Sequence, residues 1–407
     1  MLTEQTIKAR YQIKELELNA LLEITQAINN NLPEDSLYKI YNFTLRSNLN
    51  IQKLALFVLD DEWNCKVCFG TKKHFSKVSL LTAFKTIQDI THLKEFEQCE
   101  FSVFDLVIPV SHKGNTLALV FVGGLDKDEY QGEDGVKFIQ ALSNIIIVAI
   151  ENKKLVRKQL QQESFRKELE IASDVQQFLF PDKLPYTDAL KVEASYLPHD
   201  MVGGDYYDYI PINKNQFLIC VADVSGKGIP AALMMSNFQA SLRTLLRQTP
   251  NLTDIVEALN FQVLENTKGE KFITFFAAIY DIRLKTMVYV NAGHNPPILV
   301  DKNNGILMLE EGSTVLGAMH PLPFLNEGFI TNLEDFLLFC YTDGVTETLN
   351  ESEQEFGVER LVEYFKRPDV NNKELKVIHQ DIIVALDTFK GRNGYHDDIT
   401  ILSCRVG

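Results

Sequence analysis

The sequence predicts an α+β protein in which an N-terminal mixed domain, a long connecting helix and a larger C-terminal domain follow one another. Three observations carry that expectation. The 407 residues exceed what one hydrophobic core organises and suit two or three domains. Between Gly135 and Pro181 there is neither glycine nor proline, so nothing interrupts a helix across that stretch. Beyond residue 195, apolar runs of strand length repeatedly end or begin at an aspartate, as in a sheet whose strand ends carry acidic turns.

Residues 1–31 form the first element. Tyr11, Leu18 and Thr25 alternate with Lys14, Leu21 and Ile28 at heptad spacing, which fits either a helix packed on its own domain or a dimer seam. Asn31-Leu-Pro33 ends the helix. Residues 32–150 mix strand and helix. Leu54–Leu59 and a run through Val67 and Phe69 read as strands around the Asp60-Asp61 turn. Asp105–Val110 and Thr116–Val122 flank Ser111-His-Lys-Gly-Asn115, a hairpin signal. A helix opening near Asp134 is expected to bury Phe138, Ile139, Leu142, Ile145 and Ile146. This order of elements resembles a GAF sensor domain, and a PAS-like fold is the alternative the pattern leaves open. His74, His92 and His112 are isolated and read as ordinary residues.

Residues 151–185 turn charged and suit an exposed connecting helix. Leu142, Ala149 and Val156 fall seven apart, and Leu155, Leu169 and Phe178 continue an apolar face. Such a helix fits either a rigid spacer or an element that transmits a rearrangement between domains.

The formal charge of −15 disfavours nucleic acid and anionic membrane as partners. The N-terminus lacks the apolar core of a signal peptide, and the longest apolar run, Ile145 to Ile150, is too short to span a bilayer. A cytoplasmic protein is expected. Cys65, Cys68, Cys99, Cys220, Cys340 and Cys404 are scattered, and Cys65-Lys-Val-Cys68 has no second ligand pair for zinc.

The chemistry is expected in residues 186–407. Gly203-Gly204-Asp205-Tyr206-Tyr207-Asp208 has glycines that permit close backbone approach beside Asp205. Gln216–Ala222 ends in Asp223-Val-Ser-Gly226-Lys-Gly228, and Pro230 opens a helix through Leu233, Met234, Phe238, Leu242 and Leu245. Phe336–Tyr341 ends in Thr342-Asp343-Gly344-Val345-Thr346-Glu347, and His396-Asp397-Asp398 enters the strand Ile399–Cys404. Each aspartate alone is an ordinary turn former. Four such segments converging would repel one another unless a cation joined them, and hard dications prefer oxygen ligands.

GGDYYD, VADVSGKG, Asn291-Ala-Gly-His-Asn-Pro-Pro297, YTDGVTE and DDITIL resemble the ordered motifs of SpoIIE/RsbU-type phosphatases of the PPM superfamily, which includes phosphatase-2C enzymes. The likeness extends upstream to residues 169–181, which look like the regulatory helix preceding such domains. The resemblance implies two packed antiparallel sheets flanked by helices, an αββα sandwich, with Phe275–Tyr280 and Met287–Asn291 as one hairpin. It implies a serine/threonine phosphatase using two Mn²⁺ or Mg²⁺ ions and in-line attack of water without a covalent enzyme intermediate. Asp223 would bridge both metals, Asp343 and Asp397 would hold the first, and Asp205 with the Val224 carbonyl the second. Asp398 is an alternative ligand or a support for Asp397. The family further implies a phosphoprotein substrate, a STAS-type anti-sigma-factor antagonist in partner switching, with an unidentified ligand or partner at the sensor and a homodimer.

The chain departs from the eukaryotic members in two respects. Ser225 stands near where they carry a candidate acid histidine, and their phosphate-binding arginine has no evident counterpart. His294 could replace the first and Lys227 could contact phosphate, although a structural turn and a solvated lysine are the simpler readings. Two rival functions are a scaffold without turnover and a diguanylate-cyclase-like enzyme, the latter suggested only by GGDYY. The cyclase leaves DGVTE and DDIT unexplained, and retention of all four acidic positions argues against the scaffold.

Overall fold

The structure, a computed structural model, describes residues 4–48, 51–72, 75, 80, 82–93, 100–124, 133–302 and 305–407. His74 and Cys99 lie outside the described residues. The chain divides into two compact units, Met1–Glu163 and Ser164–Gly407.

The N-terminal unit contains α1 (Glu4–Asn29), α2 (Glu34–Phe43), β1 (Lys53–Leu59), β2 (Trp63–Phe69), α3 (Thr82–Lys85), β3 (Thr91–His92), β4 (Leu106–His112), β5 (Asn115–Gly123) and the first part of α4 (Glu133–Gln177). Its strands form an antiparallel sheet in the order β2-β1-β5-β4-β3. Alternate residues divide between the two faces. Leu54, Leu56, Ile108 and Val120 pack against α1, α2 and α4, whereas Phe57 and Phe121 join Phe84, Phe101 and Phe104 on the opposite face. The β4–β5 turn is tighter than expected. Lys113 and Gly114 both have positive φ, as a two-residue hairpin turn matched to strand twist requires.

One helix bears out its packed reading in part and another is corrected. In α1, Leu21 and Ile28 pack on the domain's own core beside Ala20, Ile24 and Ala27, while Tyr11, Leu18 and Thr25 point to solvent. In α4, Ile145 is exposed while Ile147 and Ile150 join Ile139, Leu142 and Ile146 in the core. A one-residue error turns a helical side chain by about 100°, enough to exchange faces. By length and composition α4 is the one helix among the described residues apolar enough to cross a membrane. Much of that apolarity is spent in the N-terminal core. Cys65 and Cys68 flank a bulge in β2, where the register shifts opposite Leu56 and Phe57, and pack at the edge of the phenylalanine cluster.

The C-terminal unit contains β6 (Leu190–Leu197), β7 (Tyr206–Pro211), β8 (Gln216–Val224), α5 (Ile229–Gln248), α6 (Leu252–Thr267), β9 (Ile273–Asp281), β10 (Thr286–Ala292), β11 (Ile298–Asp301), β12 (Gly305–Met308), β13 (Gly312–Ser313), β14 (Gly328–Ile330), β15 (Phe336–Tyr341), α7 (Asp343–Thr346), α8 (Val358–Phe365), α9 (Leu375–Lys390) and β16 (Ile399–Val406). One sheet runs β13-β10-β9-β8-β7 with β14 on β10, and the other β12-β11-β15-β16-β6. Leu218, Cys220 and Ala222 face α5 and α6, while Phe217, Ile219 and Val221 meet Leu338, Leu402 and Cys404 of the second sheet. Phe339, Tyr341 and Ile401 then face α8 and α9. The order is helix, sheet, sheet, helix. Burial on both faces explains why β8 reads as an unbroken apolar run. On α5 Phe238 and Leu242 are buried as expected, joined by Met235 and Leu246, whereas Leu233 is 66% exposed and Met234 and Leu245 are partly buried.

His379 of α9 is a buried polar tie across this architecture. Its Nδ1 pairs with Ser195 Oγ on β6 at 2.9 Å and its Nε2 with Ser403 Oγ on β16 at 2.8 Å. Burial pushes the imidazole down to about 4, so the fold holds the neutral ring. The unfolded chain takes up that proton near pH 6.5, so the contribution is complete above this pH and is lost as pH falls towards 4. The His379 ring proton should therefore titrate near 4 by NMR, with the melting temperature falling across the same window. Titration near 6.5 would contradict this assignment.

Candidate active site

The four acidic segments meet at one end of the sandwich, brought there by strand ends from both sheets. Asp205 precedes β7, Asp223 is the penultimate residue of β8, Asp343 follows β15, and Asp397-Asp398 precedes β16. Asp205 is buried, and its Oδ2 accepts hydrogen bonds from Thr342 Oγ1 at 2.8 Å and Thr400 Oγ1 at 2.5 Å. Burial and then the charge of Asp223 push its carboxyl well above the usual range. Asp223 is pushed up to about 7 by burial, by Asp343 and by Asp397, with a hydrogen bond from the Asp205 carboxyl opposing the rise. Asp343 is raised by burial and by Asp397, and Glu347 by burial and by Asp343. The carboxylates thus share one electrostatic field. Among the described residues, no three acidic, histidine or cysteine side chains close into a ready ligand cluster.

Asp397 and Asp398 differ sharply. Asp398 is buried, with Oδ1 accepting from the His199 amide at 2.7 Å and Oδ2 from the Gly204 amide at 2.8 Å. Asp398 therefore ties the 199–204 loop to the start of β16. Asp397 faces outward, and its Oδ2 pairs with Lys227 Nζ at 2.8 Å. Lys227 also donates to the His396 carbonyl, so it is more than a solvated turn residue.

The glycines have a steric reason. A Cβ on Gly203 would lie 2.2 Å from Asp398 Oδ2, and one on Gly204 would lie 2.9 Å from the Val224 carbonyl oxygen. These approaches bring the Asp205 loop against the Asp223-Val224 strand end. Gln176, near the end of α4, grips the same loop, with Nε2 donating to the Gly203 carbonyl at 2.8 Å and Oε1 accepting from its amide at 3.3 Å. Gln176 and Thr400 lie within segments the family likeness covers, but nothing in the sequence singled out either residue or this pairing.

Other motif residues prove structural. Asp208 is fully buried and held by Arg243, with Nε to Oδ2 at 2.7 Å and a second guanidinium nitrogen to Oδ1 at 3.0 Å, and by the Tyr206 hydroxyl. His294 is buried, its Nδ1 pairs with Thr274 Oγ1 at 2.8 Å, and burial pushes it down to about 4. Burial favours the neutral ring, a far weaker acid than the imidazolium, and the residue also serves the turn, where its amide donates to Asn291 Oδ1 at 2.8 Å.

The donor set fits a divalent metal. It is all oxygen, its carboxylates are raised by burial and then by one another's charge, and the missing Cβ of Gly204 leaves the Val224 carbonyl approachable. Fold and site together define a phosphatase of the 2C type.

Comparison with known proteins agrees. A family model described as stage II sporulation protein E (SpoIIE) matches residues 213–407. Phosphoserine phosphatase RsbU of Bacillus subtilis (strain 168) is 30% identical over 256 residues, spanning 60% of this chain and 71% of RsbU. Protein IcfG of Synechocystis sp. is 25% identical over 279 residues, 62% of this chain and 43% of IcfG. Phosphoserine phosphatase RsbP of B. subtilis is 26% identical over 186 residues, 45% of this chain and 46% of RsbP. The solved SiaA-PP2C domain of Pseudomonas aeruginosa shares the fold, with a TM-score of 0.54 at 21% identity over 61% of this chain and 99% of that one. The chain belongs to the SpoIIE/RsbU family of PPM phosphatases and is a metal-dependent protein-serine/threonine phosphatase.

Two outcomes test the site's energetics. Removing the guanidinium with Arg243→Met should lower unfolding free energy by about 3 kcal/mol in chemical denaturation, because Asp208 is left buried and uncompensated. A carboxylate raised on folding adds stability only while protonated, so Asp223 loses its contribution as pH rises from about 4 through about 7. In EDTA, Asp223→Asn should melt above the wild type at pH 8, and the gap should close towards pH 4.

Proposed function

We propose that this phosphatase removes phosphate from a phosphoserine or phosphothreonine of a regulatory protein, under control of the N-terminal unit. The observation that carries this reading is the convergence of strand-end carboxylates on Asp223, raised by burial and then by one another's charge. Asp223 would bridge two Mn²⁺ or Mg²⁺ ions, with Asp343 and Asp397 on the first and Asp205 with the Val224 carbonyl on the second. Once bound, the ions would supply an activated water at neutral pH, charge neutralisation and orientation of the phosphate. Asp398 acts beside them as a positioning residue, holding the Gly204 loop so that Asp205 faces Asp223. Thr342 and Thr400 fix the Asp205 carboxyl by two hydrogen bonds.

RsbU and RsbP are named phosphoserine phosphatases, which supports phosphoserine as the substrate class. By family resemblance the substrate is a STAS-type antagonist in a cytoplasmic partner-switching pathway. A GAF-like role for the N-terminal unit draws support from its antiparallel β2-β1-β5-β4-β3 sheet, with helices on one face. A homodimer through α1 draws support from Tyr11, Leu18 and Thr25, whose side chains are exposed to a second copy.

The test is phosphate release from p-nitrophenyl phosphate by the full chain with Mn²⁺ or EDTA, beside Asp223→Asn and Asp397→Asn. Release that requires Mn²⁺ and disappears in both variants is the expected result. Release that survives Asp223→Asn would remove the bridging assignment, and none under any stimulus would favour a scaffold.

A further inference from the structure

We propose that the phosphoryl group of the substrate is anchored by the ammonium of Lys271 at the Gly226 turn, with the Lys227 ammonium at Asp397 as a second cation. This inference rests on the phosphatase reading of the same site. A dianionic phosphoryl group approaching several carboxylates on a chain of net charge −15 needs cationic partners besides the metals. The arginine that serves eukaryotic relatives has no counterpart in sequence.

The fold supplies another cation, from a part of the chain that no motif marked. Lys271 Nζ lies 2.5 Å from where a Cβ on Gly226 would stand, so the ammonium rests over the turn three residues beyond Asp223. Gly226 has φ +98° and no side chain, which leaves that space to the lysine. The backbone sets this position. Ser225 N donates to the Phe272 carbonyl at 3.0 Å, and Phe272 N donates to Ser225 Oγ at 3.0 Å. The two segments, 47 residues apart, are thereby locked side by side. Thr267 Oγ1 holds the Lys271 carbonyl from behind at 3.1 Å.

Among the described residues the Lys271 ammonium has neither a hydrogen bond nor an ion pair, although the residue is half-buried. A partly desolvated cation without a partner is poised for an anion. It also lines a cleft of about 460 Å³ between α5 and α6, so solutes reach it. Lys227 stands differently, being engaged by Asp397 and the His396 carbonyl. Its charge enters the same field, lowering Asp343 and Glu347 against the repulsion that raises them. Lys271 is therefore the free anchor and Lys227 the shared one.

The test uses the full chain, Lys271→Met and Lys271→Arg, and three readouts. These are calorimetric binding of inorganic phosphate to Mn²⁺-loaded protein, KM and kcat for p-nitrophenyl phosphate, and Mn²⁺ affinity by electron paramagnetic resonance. Lys271→Met should weaken phosphate binding and raise KM about tenfold, the scale of one lost hydrogen bond to a charged group. Lys271→Arg should recover most of both, and Mn²⁺ affinity should stay within about twofold. Unchanged phosphate affinity in Lys271→Met would overturn the proposal, as would a loss that follows an equal fall in Mn²⁺ affinity. Phosphate binding that depends on Lys271 in a wild type without turnover would uphold the anchor and remove the phosphatase reading instead.

Discussion

Repulsion among aspartates that the fold forces together is the constraint on which the C-terminal unit depends. Asp205, Asp223 and Asp343 are each raised by burial and by one another or Asp397, so the sandwich holds them against their own preference. Every device around them reads as a response to that cost. Thr342 and Thr400 donate to Asp205, the His199 and Gly204 amides donate to Asp398, and Lys227 faces Asp397. Such strain is tolerated where it serves chemistry, and the remainder of the sandwich supplies the rigidity to bear it.

The motifs divide into two kinds once side chains are placed. Asp223 and Asp343 feel the shared field, whereas Asp208 and His294, from equally recognisable segments, are structural. Asp208 neutralises Arg243 beneath β7, and His294 braces a turn that also reaches α7, where Asn295 Nδ2 donates to Thr346 Oγ1 at 3.1 Å. Adjacent residues can part in the same way. Asp397 opens outward while Asp398 spends both oxygens on backbone amides.

Strands were legible because two-sided burial writes continuous apolar runs, and the acidic ends of those runs marked the site. Helix faces were less legible. Leu233 looks like core by hydrophobicity, yet the buried neighbour is Met235, because helical phase depends on packing partners distant in sequence. The roles of Gln176, Thr400 and Lys271 were illegible for a related reason. Their partners lie 27, 195 and 45 residues away, and amide, hydroxyl and ammonium groups of these types occur throughout any sequence. Between Asp397 and Asp398, only backbone placement distinguishes the two.

The pairing of β16 with β6 joins Val406 to Leu190 and Ile399 to Leu197, and Asp398 reaches Gly204 across 194 residues. During synthesis, the Asp205 loop must therefore wait for residues 398–406 to leave the ribosome before it acquires its fixed shape. Until then Asp205 and Asp223 belong to a chain whose second sheet lacks its inner strand. The acidic end of the sandwich is therefore completed only when the last strand pairs, so its formation is tied to the most sequence-distant contacts of the unit.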